Sequence, residues 1–187
     1  MADTGFEFSG TAVNDATVGT IDWVDVDSTG LTLVQLISAD DDQFTHPTGV
    51  RLSGGVTDTS AVLFIGGSAS GDSQHLGTVF TSGVRTYGSS TELWGLTPSV
   101  AEVNAGDFGF GISVTGNGGV SKYLFVSGFG FSVPVGATID GIEVACDVVN
   151  TDGRPKFDYI QTKVHYTEAP VTAEHISGLY LSSLGVS

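Results

Sequence analysis

The residues from Tyr123 to Asp147, YLFVSGFGFSVPVGATIDGIEVACD, constrain this chain more than any other stretch. Tyr123, Phe125, Phe129, Phe131 and Val133 fall on alternate positions, interrupted only by Ser127, while Leu124, Val126, Gly128, Gly130 and Ser132 take the positions between. A strand turns successive side chains to opposite faces, so the pattern predicts one strand whose aromatic face lines a core. Pro134 and Gly136 predict a turn over Val133 to Ala137, after which the chain returns as an antiparallel neighbour from Thr138 to Val149. The apolar phase of that return shifts from Ile139 to Ile142, Val144, Cys146 and Val148. A one-residue slip of this kind predicts a β-bulge at Asp140-Gly141.

The same period recurs elsewhere. Ile21, Trp23, Val24 and Val26 interleave with Asp22, Asp25 and Asp27, which predicts a strand over residues 18–26 with one solvated face. Leu31 to Ile37, Val50 to Leu52, Ala61 to Ile65, Leu76 to Phe80 and Phe157 to Tyr166 are further expected strands, with Ala61 to Ile65 central because it is wholly apolar. Phe108, Phe110, Ile112 and Val114 alternate with Gly109, Gly111 and Ser113, and Asn117-Gly118 predicts a hairpin behind them. Residues 10–17 and 66–72 are expected as loops. With 27 Gly in 187 residues, short strands and tight turns are favoured over helices. The expectation is an all-β fold: a two-sheet antiparallel β-sandwich or jelly roll with short terminal arms. Residues 1–17 form an N-terminal strand or arm, 18–168 the sandwich domain and 169–187 a C-terminal arm.

Charge narrows the partners. Six Lys and Arg against 21 Asp and Glu leave a formal charge of -15, which repels a phosphate backbone or an anionic membrane surface, so no nucleic-acid partner is expected. No apolar run approaches the ~20 residues of a membrane helix, and no basic start followed by an apolar run is present, so neither membrane insertion nor an ordinary signal peptide is expected. Cys146, the single cysteine, belongs to the alternation of Ile142, Val144 and Val148 and is expected as a small buried hydrophobe. Beyond Pro170, Ile176, Leu179, Tyr180 and Leu184 recur at near-helical spacing, weakened by Gly178 and Ser182-Ser183. An apolar tail of this kind is expected to dock on a neighbouring subunit.

Catalytic patterns are sparse. His46, His75, His165 and His175 are scattered and give no zinc spacing. The clusters Asp22, Asp25, Asp27 and Asp40, Asp41, Asp42 supply oxygens for calcium without the spacing of a calcium loop, so calcium is a weak candidate and no other cofactor is expected. GGSASGDSQH places serines near His75 but lacks the GxSxG turn of a serine nucleophile, and no GK pair marks a phosphate cradle. The expectation is a protein that is not an enzyme. Trp23, Tyr87 and Trp94 are candidates to stack on sugar rings, since sandwiches present such rings on a face or at loop tips.

At TYGSSTELWGL (86–96), TPSVAEVNAGDFGFGISV (97–114), YLFVSGFGFSVPVGATIDGIEV (123–144) and FDYIQTKVHY (157–166), the chain resembles β-sandwich modules of tailed-bacteriophage virion proteins. NDATVGTIDW and SADDDQF also resemble the opening of those modules. In the modules the GFGF block precedes the YGGS-DLWG block, whereas here it follows, as a circular rearrangement of a sandwich with neighbouring termini would produce. The resemblance implies a structural protein of the virion surface, on capsid or tail, made in the host cytoplasm. It also implies a homo-oligomer, expected as a trimer, with other virion proteins as partners. It implies structural roles for the motifs: Gly88, Trp94 and Gly95 in a packed corner, Phe129 and Phe131 in the core, Pro134 and Gly136 in the turn. A capsid decoration or cement protein is the leading expectation, on the reading that Met1 opens a whole small protein. The alternative is a tail-fibre or adhesin module that binds host glycan.

Overall fold

The computed structural model describes residues 1–25, 30–40, 45–47, 55–151 and 154–170. In chain order these form β1 (Ala2–Asp3), β2 (Glu7–Phe8), β3 (Thr11–Asp15), β4 (Trp23–Asp25), α1 (Leu33–Ile37), β5 (Thr45–Pro47), β6 (Thr57–Ile65), β7 (Ser68–Ser70), β8 (Gly83–Gly88), α2 (Val100–Val103), β9 (Gly109–Gly116), β10 (Gly119–Val120), β11 (Tyr123–Ser127), β12 (Thr138–Thr151) and β13 (Arg154–Thr167). One sheet runs β4-β5-β13-β12-β8, with β1 and β2 also on β13; the other runs β3-β11-β9-β6-β7, with β10 on β9. The fold is an all-β sandwich of two antiparallel sheets. Tyr87, Ile142, Val144, Cys146, Val148, Ile160 and Val164 of the first sheet meet Ala61, Leu63, Phe110, Ile112, Val114, Leu124 and Val126 of the second in one core.

The organising stretch departs from its expected form in two ways, both caused by glycine. β11 stops at Ser127, because Gly128 and Gly130 hold φ of +71° and +73°, where an extended ladder cannot continue. The conformation also reverses side-chain parity. Within β11 it is Leu124 and Val126 that enter the main core, while Tyr123 and Phe125 lie on the opposite face with Val62, Phe64 and Val18. Past Gly128, Phe129, Phe131 and Val133 turn inward and plug one end of the sandwich, Phe129 stacked on Phe131 at 5.5 Å. The side chain of Asn104 fastens this arch, accepting from Val133 N (2.9 Å) and donating to Val133 O (2.9 Å). The turn forms one residue later than expected, with Ala137 N donating to Pro134 O at 3.1 Å. The return strand then pairs with β13 and β8 in the other sheet instead of with β11. What was expected as a hairpin is a crossing between sheets.

Two further expectations change. Leu31 to Ile37 contains the helix α1 instead of a strand: Gln35 Oε1 accepts from Thr32 N at 2.9 Å, and Leu33, Leu36 and Ile37 share one face toward the core. Residues 10–17 contain β3, paired with β11 from Asp15 opposite Tyr123 to Thr11 opposite Ser127. Ser68–Ser70 pairs back on β6 through Gly66-Gly67, and the strand placed at Leu76 to Phe80 lies instead at β8. The bulge at Asp140-Gly141 is present as a register shift between Ile139 and Gly141. The Asn117-Gly118 hairpin joins β9 to β10 with Gly116 opposite Gly119. Residues 1–17 supply β1 and β2 to one sheet and β3 to the other, and Ala2 stands opposite Tyr166. Val50 to Leu52 and residues 171–187 lie outside the described residues.

Candidate functional site

The densest polar chemistry lies where β6 and β8 face each other across one side of the sandwich. Asp58 sits where β6 slips register against β9, between Asp58 and Ser60, and its carboxylate is buried. It accepts from the backbone N–H groups of Leu76 (2.7 Å) and Gly77 (3.0 Å) and pairs with Arg85 Nη1 at 3.5 Å. Arg85 comes from β8, on the same side of the strand as Tyr87; its guanidinium lies 4.1 Å from the centre of the Phe80 ring and donates to Thr78 O at 3.1 Å. The pair therefore joins the two sheets and pins residues 76–80 between them. Breaking such a buried pair from one side leaves an uncompensated charge, at a cost of about 3–5 kcal/mol.

Beside this pair, Tyr87 and Cys146 occupy the core. Burial pushes the Tyr87 phenol far above its ordinary value, and the neighbouring Cys146 and Asp58 add to the rise. Burial likewise pushes the Cys146 thiol up, partly opposed by Arg85. Both groups stay protonated at neutral pH, so Cys146 offers no thiolate for nucleophilic attack or metal ligation. The Tyr87 hydroxyl is buried, with at most a long hydrogen bond to the Asp58 carboxylate. Ser73 Oγ bonds His75 Nδ1 at 3.1 Å and accepts from Ala61 N at 3.0 Å, which ties the serine oxygen to β6.

Outside the pair, Gln74, Leu76, Thr86, Tyr87, Gly88, Ser89 and Glu92 line a groove of about 220 Å³ along β8. Its end wall is the corner that follows β8. Trp94 holds φ of +58°, is wholly buried, and donates its indole N–H to Ile142 O at 3.0 Å. Glu92 caps the turn by accepting from Trp94 N at 2.7 Å. At Gly88 a Cβ would stand 2.2 Å from Ile142 O, which is why a side chain is missing there.

The candidate sugar-stacking rings all lie inside. Trp23 packs edge-to-face on Phe157 at 5.1 Å and donates to Lys122 O at 2.9 Å; Tyr87 and Trp94 both pack on Phe110. Of the calcium candidates, Asp22 pairs with Lys122 Nζ at 2.8 Å and Asp25 accepts from Gly30 N at 2.9 Å. Asp40 contributes to the electrostatic surroundings of Tyr159, and Asp27, Asp41 and Asp42 lie outside the described residues. Among the described residues no three His, Cys, Asp or Glu converge as a metal site. Ile176, Leu179, Tyr180 and Leu184 also lie outside them. Sequence reasoning missed Asp58 and Arg85. The available signal was one carboxylate at the head of the apolar run of β6 and one of only six cationic side chains.

Fold and site together define a two-sheet antiparallel β-sandwich protein in which Asn14, Asp58, Trp94 and Asn104 each bond the protein's own backbone. No family model matches the chain, and neither a curated protein nor a solved structure matches it.

Proposed function

We propose that this chain is a non-enzymatic structural protein of a tailed-phage particle, a decoration or cement protein of the capsid surface. It acts as a homo-oligomer among other virion proteins, and its C-terminal residues dock on a neighbouring subunit. The observation that carries the reading is where the resembling blocks fall. TYGSSTELWG is the corner buried against Ile142, and GFGFSVPVG is the arch that plugs one end of the core. The blocks that resemble virion modules are thus packing devices of the sandwich. Ala2 opposite Tyr166 brings the N-terminal strand beside the last strand, the arrangement that a rotated block order needs. The charge of -15 suits a body exposed to solvent in crowded arrays.

Imaging of intact particles that carry the chain tests this. Density repeating over the capsid lattice, removed when the coding sequence is deleted, is the expected result. Density confined to the tail overturns the capsid reading in favour of a tail-fibre module, and particles without the chain overturn both.

A further inference from the structure

We propose that the open edge of β8 receives, as an added strand, residues 171–187 of a neighbouring copy of this chain. The inference deepens the homo-oligomer proposed above and rests on it.

The edge itself is the first observation. β8 pairs with β12 on one side only, and among the described residues no strand pairs on the other. Natural sheets blunt such edges with short strands, prolines, outward cations or a covering segment. β4 and β7 are three residues each, and in β3 the Asn14 side chain bonds the backbone N–H and C=O of Trp23. β8 is six residues, GVRTYG, without proline, and its one cation is bound to Asp58. Instead of charge it is flanked by apolar side chains: Leu76 is 52% exposed, Val79 44% and Val84 58%. The groove lined by Leu76 and Thr86 runs beside this edge, where an extended segment could pair with the β8 backbone.

The occupant follows from charge and reach. Two bodies of charge -15 repel. The 17 residues after Pro170, VTAEHISGLYLSSLGVS, hold one acidic side chain, Glu174, next to His175, so they approach an acidic neighbour with little repulsion. Gly178 and Ser182-Ser183 break the near-helical spacing of this segment, and taken as an added strand it would set Leu179 and Leu181 on one face and Tyr180 on the other. Extended, 17 residues span roughly 55–60 Å, enough to cross to a second copy. The described chain leaves the sheet where Thr167 stands opposite Thr138, with Ala169 near Gly136. The corner that ends the groove is bonded to β12, Ile142 N donating to Glu92 O at 2.9 Å. The homo-oligomer proposed above supplies the donor as a second copy, and the double variant separates this from docking within one chain.

Because Cys146, the one native cysteine, is buried, introduced thiols report cleanly. Full-length chains carrying Thr86→Cys and full-length chains carrying Leu181→Cys are mixed and oxidised. A disulfide-linked heterodimer is expected, and Val84→Lys, at an exposed position that leaves the core intact, is expected to weaken oligomerisation at least tenfold by light scattering. No heterodimer, a cross-link found only within one chain of the double variant, or an oligomer unchanged by Val84→Lys each overturns the inference. These readouts are independent of particle imaging: loss of the capsid reading leaves a heterodimer standing, and loss of the heterodimer leaves capsid density standing.

Discussion

β9 and the stretch that follows β11 carry almost the same text and do opposite things. In GFGISV and GFGFSV, aromatics alternate with glycines. In β9, Phe110, Ile112 and Val114 face the core, and Gly109 and Gly111 remain in the ladder, opened on the outer face for two rings. A Cβ at Gly109 would lie 2.5 Å from Phe125 Cε2 and 2.3 Å from Val126 O; one at Gly111 would lie 2.5 Å from Phe64 Cε2. There glycine makes room, and Phe64 and Phe125 cover the bare backbone. In the arch, Gly128 and Gly130 change the direction of the chain. The difference teaches that a glycine between aromatics has two uses, and that only the neighbouring strand selects between them.

The comparison yields predictions in order of expected size. Phe110→Ala removes a wholly buried ring that packs on both Tyr87 and Trp94, and is expected to cost about 3–5 kcal/mol in denaturant unfolding. Phe125→Ala, on the outer face, is expected to cost about 1–2 kcal/mol; equal losses would mean that the two faces of the second sheet are energetically alike. Gly109→Ala is expected to cost about 2–3 kcal/mol, because the obstructing atom is backbone oxygen and cannot swing away. Gly128→Ala meets nothing closer than 3.5 Å, so it bears only the left-handed strain, about 1 kcal/mol. A larger loss at Gly128 than at Gly109 would reverse the roles assigned to them.

The smallest effect concerns Tyr87, whose buried hydroxyl has at most a long hydrogen bond to Asp58. Tyr87→Phe is expected to leave stability at pH 7 within about 0.5 kcal/mol or to raise it slightly. Its signature lies at alkaline pH. Folding raises the pKa of Tyr87 and of Cys146, so the native state holds protons that the unfolded chain releases near their ordinary values of 10.0 and 9.0. Their contribution is complete below those values and is lost as pH rises beyond them. Melting curves from pH 8 to 11 are expected to show a shallower decline in Tyr87→Phe than in the parent chain. Parallel declines would place the alkaline loss elsewhere.

The sandwich was legible because burial on alternate positions leaves a period of two whatever the neighbour is. The bulge at Asp140-Gly141 was legible for the same reason, since a slip in phase is written in the residues themselves. α1 was not, although Thr32 and Gln35 stand at capping distance, because seven apolar-rich residues fit either element until the core chooses. The site was less legible than the fold. Trp23 and Tyr87 are sugar-stacking candidates in sequence and buried in space, Trp94 sits in the packed corner that the resemblance implied, and the faint signals of Asp58 and Arg85 gained meaning only when β6 and β8 came together.

By itself the sequence determined that this chain extends, turns often and buries alternate side chains in two layers under an acidic surface, because those properties reside in single residues and their spacing. Which face of β11 is inward, that the arch crosses between sheets, and that β8 has no second partner strand among the described residues were decided by tertiary structure. Each depends on contacts between residues remote in the chain, Phe125 over Gly109, Asn104 on Val133 and Asp58 on Arg85, and no local pattern encodes a partner that far away.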